Sequence, residues 1–374
     1  MLVWLGLWGG FAVSLGLVGW LGGRVGRHAH RYASDAPQRF HAGAVPRLGG
    51  VGMLAGWLVV LWAWWGWQAL VPGAVPWLSL YQAAGWSAVV LVVVIVGVLE
   101  DVTQRVPVRW RLLCSALAAA LAVAWLDAQV PRLGWLWLDA YWQQVPLLGM
   151  GLALLAMAGL PHAFNLIDGY NGLAASVAVL IALGLAYVAW QVQDWELVYL
   201  MLALVAVTLG FLLWNYPHGK VFAGDGGAYL WGIVIAVASV LLVRRHPEVS
   251  PWCVMLLLVY PVWETLFSVY RKVSRGDSPG KADALHLHQL VHRRLVPPVP
   301  HPDPARSMRA RNNRTTPYLV ALALLSVLPA ALWWRQTPVL VAGCVLFVLV
   351  YVVSYVAIVR FKIPPWLQLV LLRR

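Results

Sequence analysis

The sequence predicts an all-α, polytopic integral membrane protein, and three observations support this fold class. Of the 374 residues, 61% are hydrophobic and only 11% are charged, which is too little charge for a soluble domain of this size. Apolar stretches long enough to cross a hydrocarbon core of ~30 Å recur along the whole chain. Segments of alternating hydrophobicity, which would indicate a membrane β-barrel, do not occur.

We predict eleven transmembrane helices within a single domain, residues 1–374. The first apolar stretch lacks the basic start and the cleavage site of a signal peptide, so we expect it to be retained. The predicted spans are 2–22, 48–70, 84–99, 112–127, 145–163, 172–191, 196–214, 227–243, 252–270, 318–334 and 338–359.

The distribution of charge predicts the orientation. With the N-terminus outside, all but four of the 27 Lys and Arg residues fall on the cytoplasmic side, as the positive-inside rule requires. The net charge of +13 then reflects topology, and no nucleic-acid partner is predicted. The largest cytoplasmic loop is 271–317, and its Pro- and Arg-rich end, 294–314, is predicted to be flexible. The acidic residues on the cytoplasmic face include Asp35, Glu100, Asp101, Asp168, Asp225, Asp277 and Asp283.

The first two motifs on this face lie around the second and third spans. A charged loop, 34–50, ends in a glycine pair where a span begins, which alone is typical of close helix packing. Glu100 and Asp101 end the third span. A lone acid there is commonly solvated at headgroup level. Two adjacent acids repel each other unless a cation or an arginine neutralises them, which favours a functional site.

Three further motifs follow in chain order. Segment 162–176 joins two spans with Asn, Asp and Gly residues, which a turn alone would explain. In segment 215–232, Asp225 lies between glycines before a span, where it could cap a helix or let a phosphate or metal approach the backbone. Segment 286–294 combines histidines with arginines and lacks Cys, which favours phosphate contacts over a zinc site.

Together the five motifs place carboxylates, amides, glycines, histidines and arginines on one membrane face. Carboxylate oxygens suit Mg²⁺, cationic groups suit phosphates, and amides suit a nucleoside. We therefore expect a magnesium-bound nucleoside diphosphate substrate and an acceptor with an anionic lipid headgroup.

With these motifs in chain order, the sequence resembles the polyprenyl-phosphate N-acetylhexosamine-1-phosphate transferases of glycosyltransferase family 4. These enzymes start O-antigen and teichoic acid linkage units, and the peptidoglycan phospho-N-acetylmuramoyl-pentapeptide translocase is a more distant relative. The matching residues are Asp35, Pro37, His41, Pro46, Arg47, Gly49, Gly50, Glu100, Asp101, Asn165, Asp168, Gly169, Gly172, Leu173, Asn215, Pro217, Lys220, Val221, Phe222, Gly224, Asp225, Gly227, His286 and His288.

The resemblance implies transfer of a HexNAc-1-phosphate from a UDP-sugar to undecaprenyl phosphate, with release of UMP, in the bacterial inner membrane. It implies Mg²⁺ on Asp225, with Mn²⁺ as the substitute, and homodimers occur among relatives. The implied catalytic residues are Asp101, Glu100 and Asp168, with Asp101 as the base for the lipid phosphate. The implied nucleotide-binding residues are Asn165, Asn171 and Asn215. The implied phosphate- and sugar-binding residues are Lys220, Arg271, Arg275, His286, His288, His292, Arg109 and Arg111.

Four positions depart from the family pattern: Glu100, Asn171, Ala228 and Gln289 replace the usual Asp, Asp, Ser and His. Because Asp101, Asp168 and Asp225 are intact, we expect activity rather than a non-catalytic scaffold. A lipid transporter or flippase, which is the other alternative, should carry its ionisable residues near the bilayer midplane rather than at one face.

Overall fold

The structure is a computed structural model that describes residues 2–24, 45–71, 78–278 and 285–360, and within them it contains helices and no strand. The helices are α1 (Leu2–Arg24), α2 (Gly49–Leu70), α3 (Leu80–Thr103), α4 (Val108–Leu126), α5 (Leu136–Trp142), α6 (Pro146–Ile167), α7 (Leu173–Gln191), α8 (Trp195–Asn215), α9 (Gly224–Arg245), α10 (Pro251–Ser274), α11 (Leu287–Leu290), α12 (Pro304–Leu332) and α13 (Thr337–Val359). A π-helical turn, Val291–Leu295, follows α11.

Eleven of the described helices are long and apolar enough to cross a membrane, and each coincides with one predicted span. This confirms the multi-pass, all-helical architecture. The side of the membrane that each end faces stays a prediction from the charge distribution.

Helix α9 forms the centre of the bundle. Every residue from Gly226 to Val243 is buried, as expected for a helix that is apolar on all sides. It packs against α2, α3, α6 and α7. A β-carbon at Gly232 would overlap the backbone of Pro161 in α6, so only glycine allows these two helices to approach so closely.

Two predicted boundaries were wrong. Residues 304–314, predicted to be flexible, form the first part of α12. Asp303 caps this helix by accepting a hydrogen bond from the Ala305 amide at 2.8 Å, and Pro304 occupies the first helical position, where its missing N–H is no loss. The Asp-Pro pair that suggested a loop is therefore a helix start.

The second difference concerns the acidic pair. Helix α3 continues to Thr103, so Glu100 and Asp101 lie in its last turns rather than after its end. Their side chains are consequently held by a rigid helix.

Candidate active site

Asp225 is the centre of the polar cluster at the N-terminal end of α9. One carboxylate oxygen accepts a hydrogen bond from the Asn165 side-chain amide at 2.6 Å. The other is paired with the Arg111 guanidinium at 2.7 Å and lies 3.3 Å from the Tyr229 hydroxyl. The structure therefore brings together Asp225, Asn165 and Arg111, which the sequence assigned to three separate motifs.

Asp101 holds the same end of α9 through hydrogen bonds to its backbone. Its two carboxylate oxygens accept hydrogen bonds from the backbone amides of Asp225 and Gly226, each at 2.9 Å, and Asp101 is only 1% exposed. A carboxylate at this position satisfies free amides and offsets the positive end of the helix dipole. Asp101 thus fixes the backbone that carries Asp225, and its predicted role as a base stays a prediction.

Close helix contact makes this anchoring possible. A β-carbon at Gly97, one turn before Asp101 in α3, would lie 2.7 Å from the Gly226 amide nitrogen. A β-carbon at Gly50 in α2 would overlap the backbone of Gly227. Glycines in three separate helices therefore let the backbones of α2, α3 and α9 come into contact next to the candidate site.

Backbone hydrogen bonds join the end of the first motif to the loop before α9. The amides of Gly49 and Gly50 donate to the carbonyl oxygens of Phe222 and Ala223, both at 2.9 Å, and the Phe222 amide donates to the Pro46 carbonyl. These hydrogen bonds bring Arg47 close enough to act electrostatically on Asp101 and Asp168. The earlier residues of this motif, Asp35, Pro37 and His41, lie outside the described residues.

Asp168 follows the end of α6 and faces the same cluster. Desolvation raises the pKa of its carboxyl group to about 7, with the nearby Asp225 charge acting in the same direction and Arg47 opposing it. A carboxyl group with this pKa changes charge near neutral pH, which is a common property of groups in active sites.

Glu100 has a different task from its neighbour Asp101. Its carboxylate accepts a hydrogen bond from the Val106 amide at 2.8 Å, in the connection between α3 and α4. It therefore stabilises the start of α4, the helix that carries Arg109 and Arg111. Arg109 is exposed, whereas Arg111 reaches Asp225.

All three residues assigned to the nucleoside form hydrogen bonds within the chain, Asn165 with Asp225 as described above. Asn215 accepts from the Gly172 amide at 2.6 Å and donates to the Val221 carbonyl at 2.9 Å, so it ties two motif loops together. The Asn171 side chain donates to Asn313 at 2.8 Å, and its backbone amide donates to Asn312.

Lys220 and the two arginines at the end of α10 lie in different surroundings. The Lys220 ammonium lies over the Trp214 ring, 5.2 Å from its centroid. The Arg271 guanidinium is buried, donates to the Leu285 carbonyl and to the Tyr355 hydroxyl, and so holds the start of the histidine segment. Arg275 is exposed.

The histidines form a separate buried group beside this cluster. The rings of His286 and His288 are stacked, with centroids 5.2 Å apart, and His292 contacts the Thr315 hydroxyl at 2.9 Å. Burial lowers the pKa of His288 and of His292 to about 4. Both are therefore neutral at pH 7, and each carries one N–H donor but no charge.

Sequence reasoning missed several residues of the site. His162 contacts Ser115 at 3.1 Å and lies edge-on to the Tyr229 ring, next to Asp225. Its spacing from Asn165, three residues along one helix, was the available signal, because residues three apart share a face. Asn312 and Asn313 follow an arginine-rich run that resembled a loop, and no motif marked them.

The described residues contain no group of three or more His, Cys, Asp or Glu side chains arranged to hold a metal ion. Mg²⁺ commonly binds through one or two carboxylates and completes its shell with water and substrate phosphates. Asp225, with its side chain 16% exposed, fits that mode of binding.

Comparisons with known proteins agree with this geometry. The family model for glycosyl transferase family 4 matches residues 83–243, which contain Asp101, Arg111, Asn165, Asp168 and Asp225. An undecaprenyl-phosphate alpha-N-acetylglucosaminyl 1-phosphate transferase from Escherichia coli O157:H7 is 25% identical over 68% of this chain and 66% of its own length.

Two further relatives have similar names. A probable undecaprenyl-phosphate N-acetylglucosaminyl 1-phosphate transferase from Bacillus subtilis is 26% identical over 69% of each chain. A decaprenyl-phosphate N-acetylglucosaminephosphotransferase from Mycobacterium leprae is 25% identical over 76% of each chain. The match spans about two thirds to three quarters of these relatives, and it confirms the family resemblance drawn from the motifs.

Proposed function

From its place in glycosyl transferase family 4 we propose that the chain transfers a HexNAc-1-phosphate from a UDP-sugar to undecaprenyl phosphate. The observation that carries this proposal is the arrangement of Asp225. Its carboxylate is held by Asn165 and Arg111, and its backbone is held by Asp101, at the N-terminal end of a buried helix. Such an arrangement presents a carboxylate for a metal ion beside a guanidinium for a phosphate.

The proposed reaction is a phosphoryl transfer. An oxygen of the lipid phosphate attacks the sugar-linked phosphorus of the UDP-sugar. The bond from this phosphorus to the bridging oxygen breaks, and UMP leaves with that oxygen. The products are undecaprenyl-diphospho-sugar and UMP. The attacking oxygen is already an anion near neutral pH, so positioning and charge neutralisation contribute more than proton removal.

Arg111 has the central role in handling charge. In the structure its guanidinium neutralises Asp225. A substrate phosphate entering beside Asp225 can accept the guanidinium fork, because arginine binds two phosphate oxygens at once. Arg111 then neutralises negative charge during the transfer, and Arg47 balances Asp101 and Asp168 beneath it.

Asp225 is the residue we propose to hold Mg²⁺, or Mn²⁺ as a substitute. When bound, the metal supplies positive charge that offsets the charge of the diphosphate and of the departing UMP. Asn165 donates to one Asp225 oxygen and so orients the carboxylate for this task.

The names of the relatives favour GlcNAc as the transferred sugar, and we propose a cell-surface polysaccharide as the destination of the product. On the same basis we propose the bacterial cytoplasmic membrane as the location, with the Asp225 end of α9 on its cytoplasmic side.

The test is to incubate purified protein with undecaprenyl phosphate, Mg²⁺ and a panel of UDP-HexNAc donors, and to identify the nucleotide released. Release of UMP that requires both lipid and metal supports the proposal, and the fastest donor identifies the sugar. Release of UDP would indicate ordinary glycosyl transfer and overturn it. Asp225→Asn should abolish UMP release. Asp127→Asn, at an exposed ion pair with Arg244 near the other end of α9, is the matched control.

A further inference from the structure

Glu264 is a buried carboxylate that the proposed reaction does not use. It lies in α10, three residues after Pro261, and is 1% exposed. A carboxylate removed from water in this way requires donors close by. The donors lie in the histidine segment, which follows α10 in the chain, and in α13, where Tyr351 forms a hydrogen bond with Glu264.

Three groups of this segment converge on one oxygen of Glu264. The Leu287 amide donates to it at 2.8 Å. The Nδ1 atoms of His286 and His288 lie 3.4 and 3.7 Å from the same oxygen. The two rings are nearly parallel, with an angle of 6° between their planes, so both direct Nδ1 towards Glu264 and Nε2 away from it.

The carboxylate determines which ring nitrogen carries the proton. A carboxylate offers only acceptors, so an Nδ1 lone pair facing it would be repelled and an Nδ1–H is attracted. The other charged or titratable groups near this cluster are Arg271 and Tyr260 of α10, Tyr351 of α13, and Tyr170 of the loop after α6. Of these, Tyr351 also forms a hydrogen bond with the Glu264 carboxylate, and Arg271 donates to Leu285 and Tyr355.

The Nε2 edge of the His288 ring, opposite to Glu264, faces the candidate site. The His288 Nε2 atom lies 3.4 Å from the position of a β-carbon on Gly169, the residue directly after Asp168. With the proton on Nδ1, Nε2 presents a lone pair there. Phosphate oxygens would repel that lone pair, whereas a hydroxyl or an amide N–H would donate to it.

We propose that Glu264 is a positioning residue that holds His288 as a neutral imidazole protonated on Nδ1, so that its Nε2 atom accepts a hydrogen bond from a hydroxyl or amide group of the donor sugar. The sugar as the partner rests on the proposed function, but the assignment of the tautomer does not. His292 is separate from this arrangement, because its Nδ1 contacts Thr315.

Nuclear magnetic resonance of the full-length protein with isotopically labelled histidine tests the tautomer directly. His286→Gln and His288→Gln each remove one signal and so assign the pair. We expect the wild-type His288 ring to be neutral with the proton on Nδ1. A neutral His288 ring with the proton on Nε2 would overturn the proposal, and this result needs no Glu264 variant to fold.

Three variants connect the tautomer to substrate binding. Glu264→Met removes the acceptor, and we expect loss of the Nδ1–H preference and a rise in donor KM of roughly tenfold or more, the scale for partners behind a functional histidine. Glu264→Gln keeps an acceptor oxygen and should largely restore both. Glu196→Met removes a comparably buried carboxylate at the other end of the bundle and should change neither.

An unchanged tautomer and an unchanged donor KM in Glu264→Met, with only a lower melting temperature, would mean that Glu264 is purely structural. If wild-type protein releases UMP from no donor, the proposed function fails, but the tautomer of His288 still decides the role of Glu264.

Discussion

The two ends of α9 are both rich in charge, but they use it differently. At the C-terminal end, Glu196 accepts hydrogen bonds from Gln82, Trp86 and Arg245, and Asp194 accepts from Arg245 and His246. At the N-terminal end, Asp101, Asp168 and Asp225 gather around Arg47 and Arg111. At the C-terminal end two acids share Arg245, whereas at the N-terminal end Asp101 accepts from backbone amides and burial raises the pKa of Asp168 to about 7.

This difference distinguishes a structural cluster from a site. Arg132 illustrates the C-terminal end, since its guanidinium donates to the carbonyl oxygens of Val243, His246, Pro247 and Val249 and closes the C-terminus of α9. At the N-terminal end, burial raises the pKa of Asp168 and the nearby Asp225 charge acts in the same direction, so the charge there depends on protonation or on a cation. A buried polar cluster with a carboxyl pKa near neutral pH therefore indicates a site more strongly than one whose acids are held by fixed ion pairs.

The largest expected effect separates the two ends by activity. Asp225→Asn keeps the shape of the side chain but removes its charge, so UMP release should fall by roughly 10³-fold, comparable to loss of a major electrostatic group. Asp127→Asn should leave the rate within about twofold, because exposed ion pairs contribute little. Equal losses in the two variants would contradict the distinction.

The next effect tests the guanidinium at the N-terminal end. Arg111→Lys keeps the positive charge but loses the planar fork, so we expect kcat to fall by roughly 10²-fold. Melting temperature should change little, because the ammonium can still pair with Asp225. Arg109→Lys, on the exposed face of the same helix, is the control, and a similar loss there would argue against a specific role for Arg111.

The third prediction concerns pH and Asp168. Because the folded-state pKa is about 7, against 3.8 for an ordinary carboxyl, the folded protein binds more protons than the unfolded chain between these values. The contribution of Asp168 to stability is therefore present at low pH and is lost as pH rises to about 7. In Asp168→Asn this fall should vanish in thermal unfolding between pH 4 and 8. An unchanged pH profile would show that Asp168 titrates normally.

The fourth prediction concerns the C-terminal end of α9. Glu196→Ala leaves Arg245 with one acidic partner instead of two and removes acceptors from Gln82 and Trp86. Breaking such a buried pair costs about 3 kcal/mol of unfolding free energy. The kcat of the folded fraction should stay within about twofold. A large loss of kcat at unchanged stability would place functional residues at the C-terminal end of α9 as well.

The smallest effect is expected from Glu100→Asp, which restores the residue usual in the family. The shorter side chain would not reach the Val106 amide, so the start of α4 should lose about 1 kcal/mol, the scale of a helix cap. We expect a few-fold lower kcat through a less well placed Arg111. An increase in kcat would show that the family residue acts on the substrate instead.

Hydropathy and charge patterns sufficed to predict the eleven spans and the cluster of Asp101, Asp168 and Asp225, because apolar length and short motifs are local properties. The same reasoning could not predict that the Asn215 side-chain amide forms hydrogen bonds with the backbones of Gly172 and Val221. Nor could it connect Glu264 to histidines more than twenty residues later. Such contacts depend on how distant segments pack, and no spacing along the chain encodes them.

The meeting of α2, α3 and α9 at Gly50, Gly97 and Gly226 has a consequence for inhibitor design. Side chains larger than hydrogen do not fit at these contacts without displacing backbone. A compound that contacts these glycines and Asp225 would leave the protein few tolerated substitutions by which to become resistant. A compound that depends on exposed side chains such as Lys220 or Arg275 would leave it many.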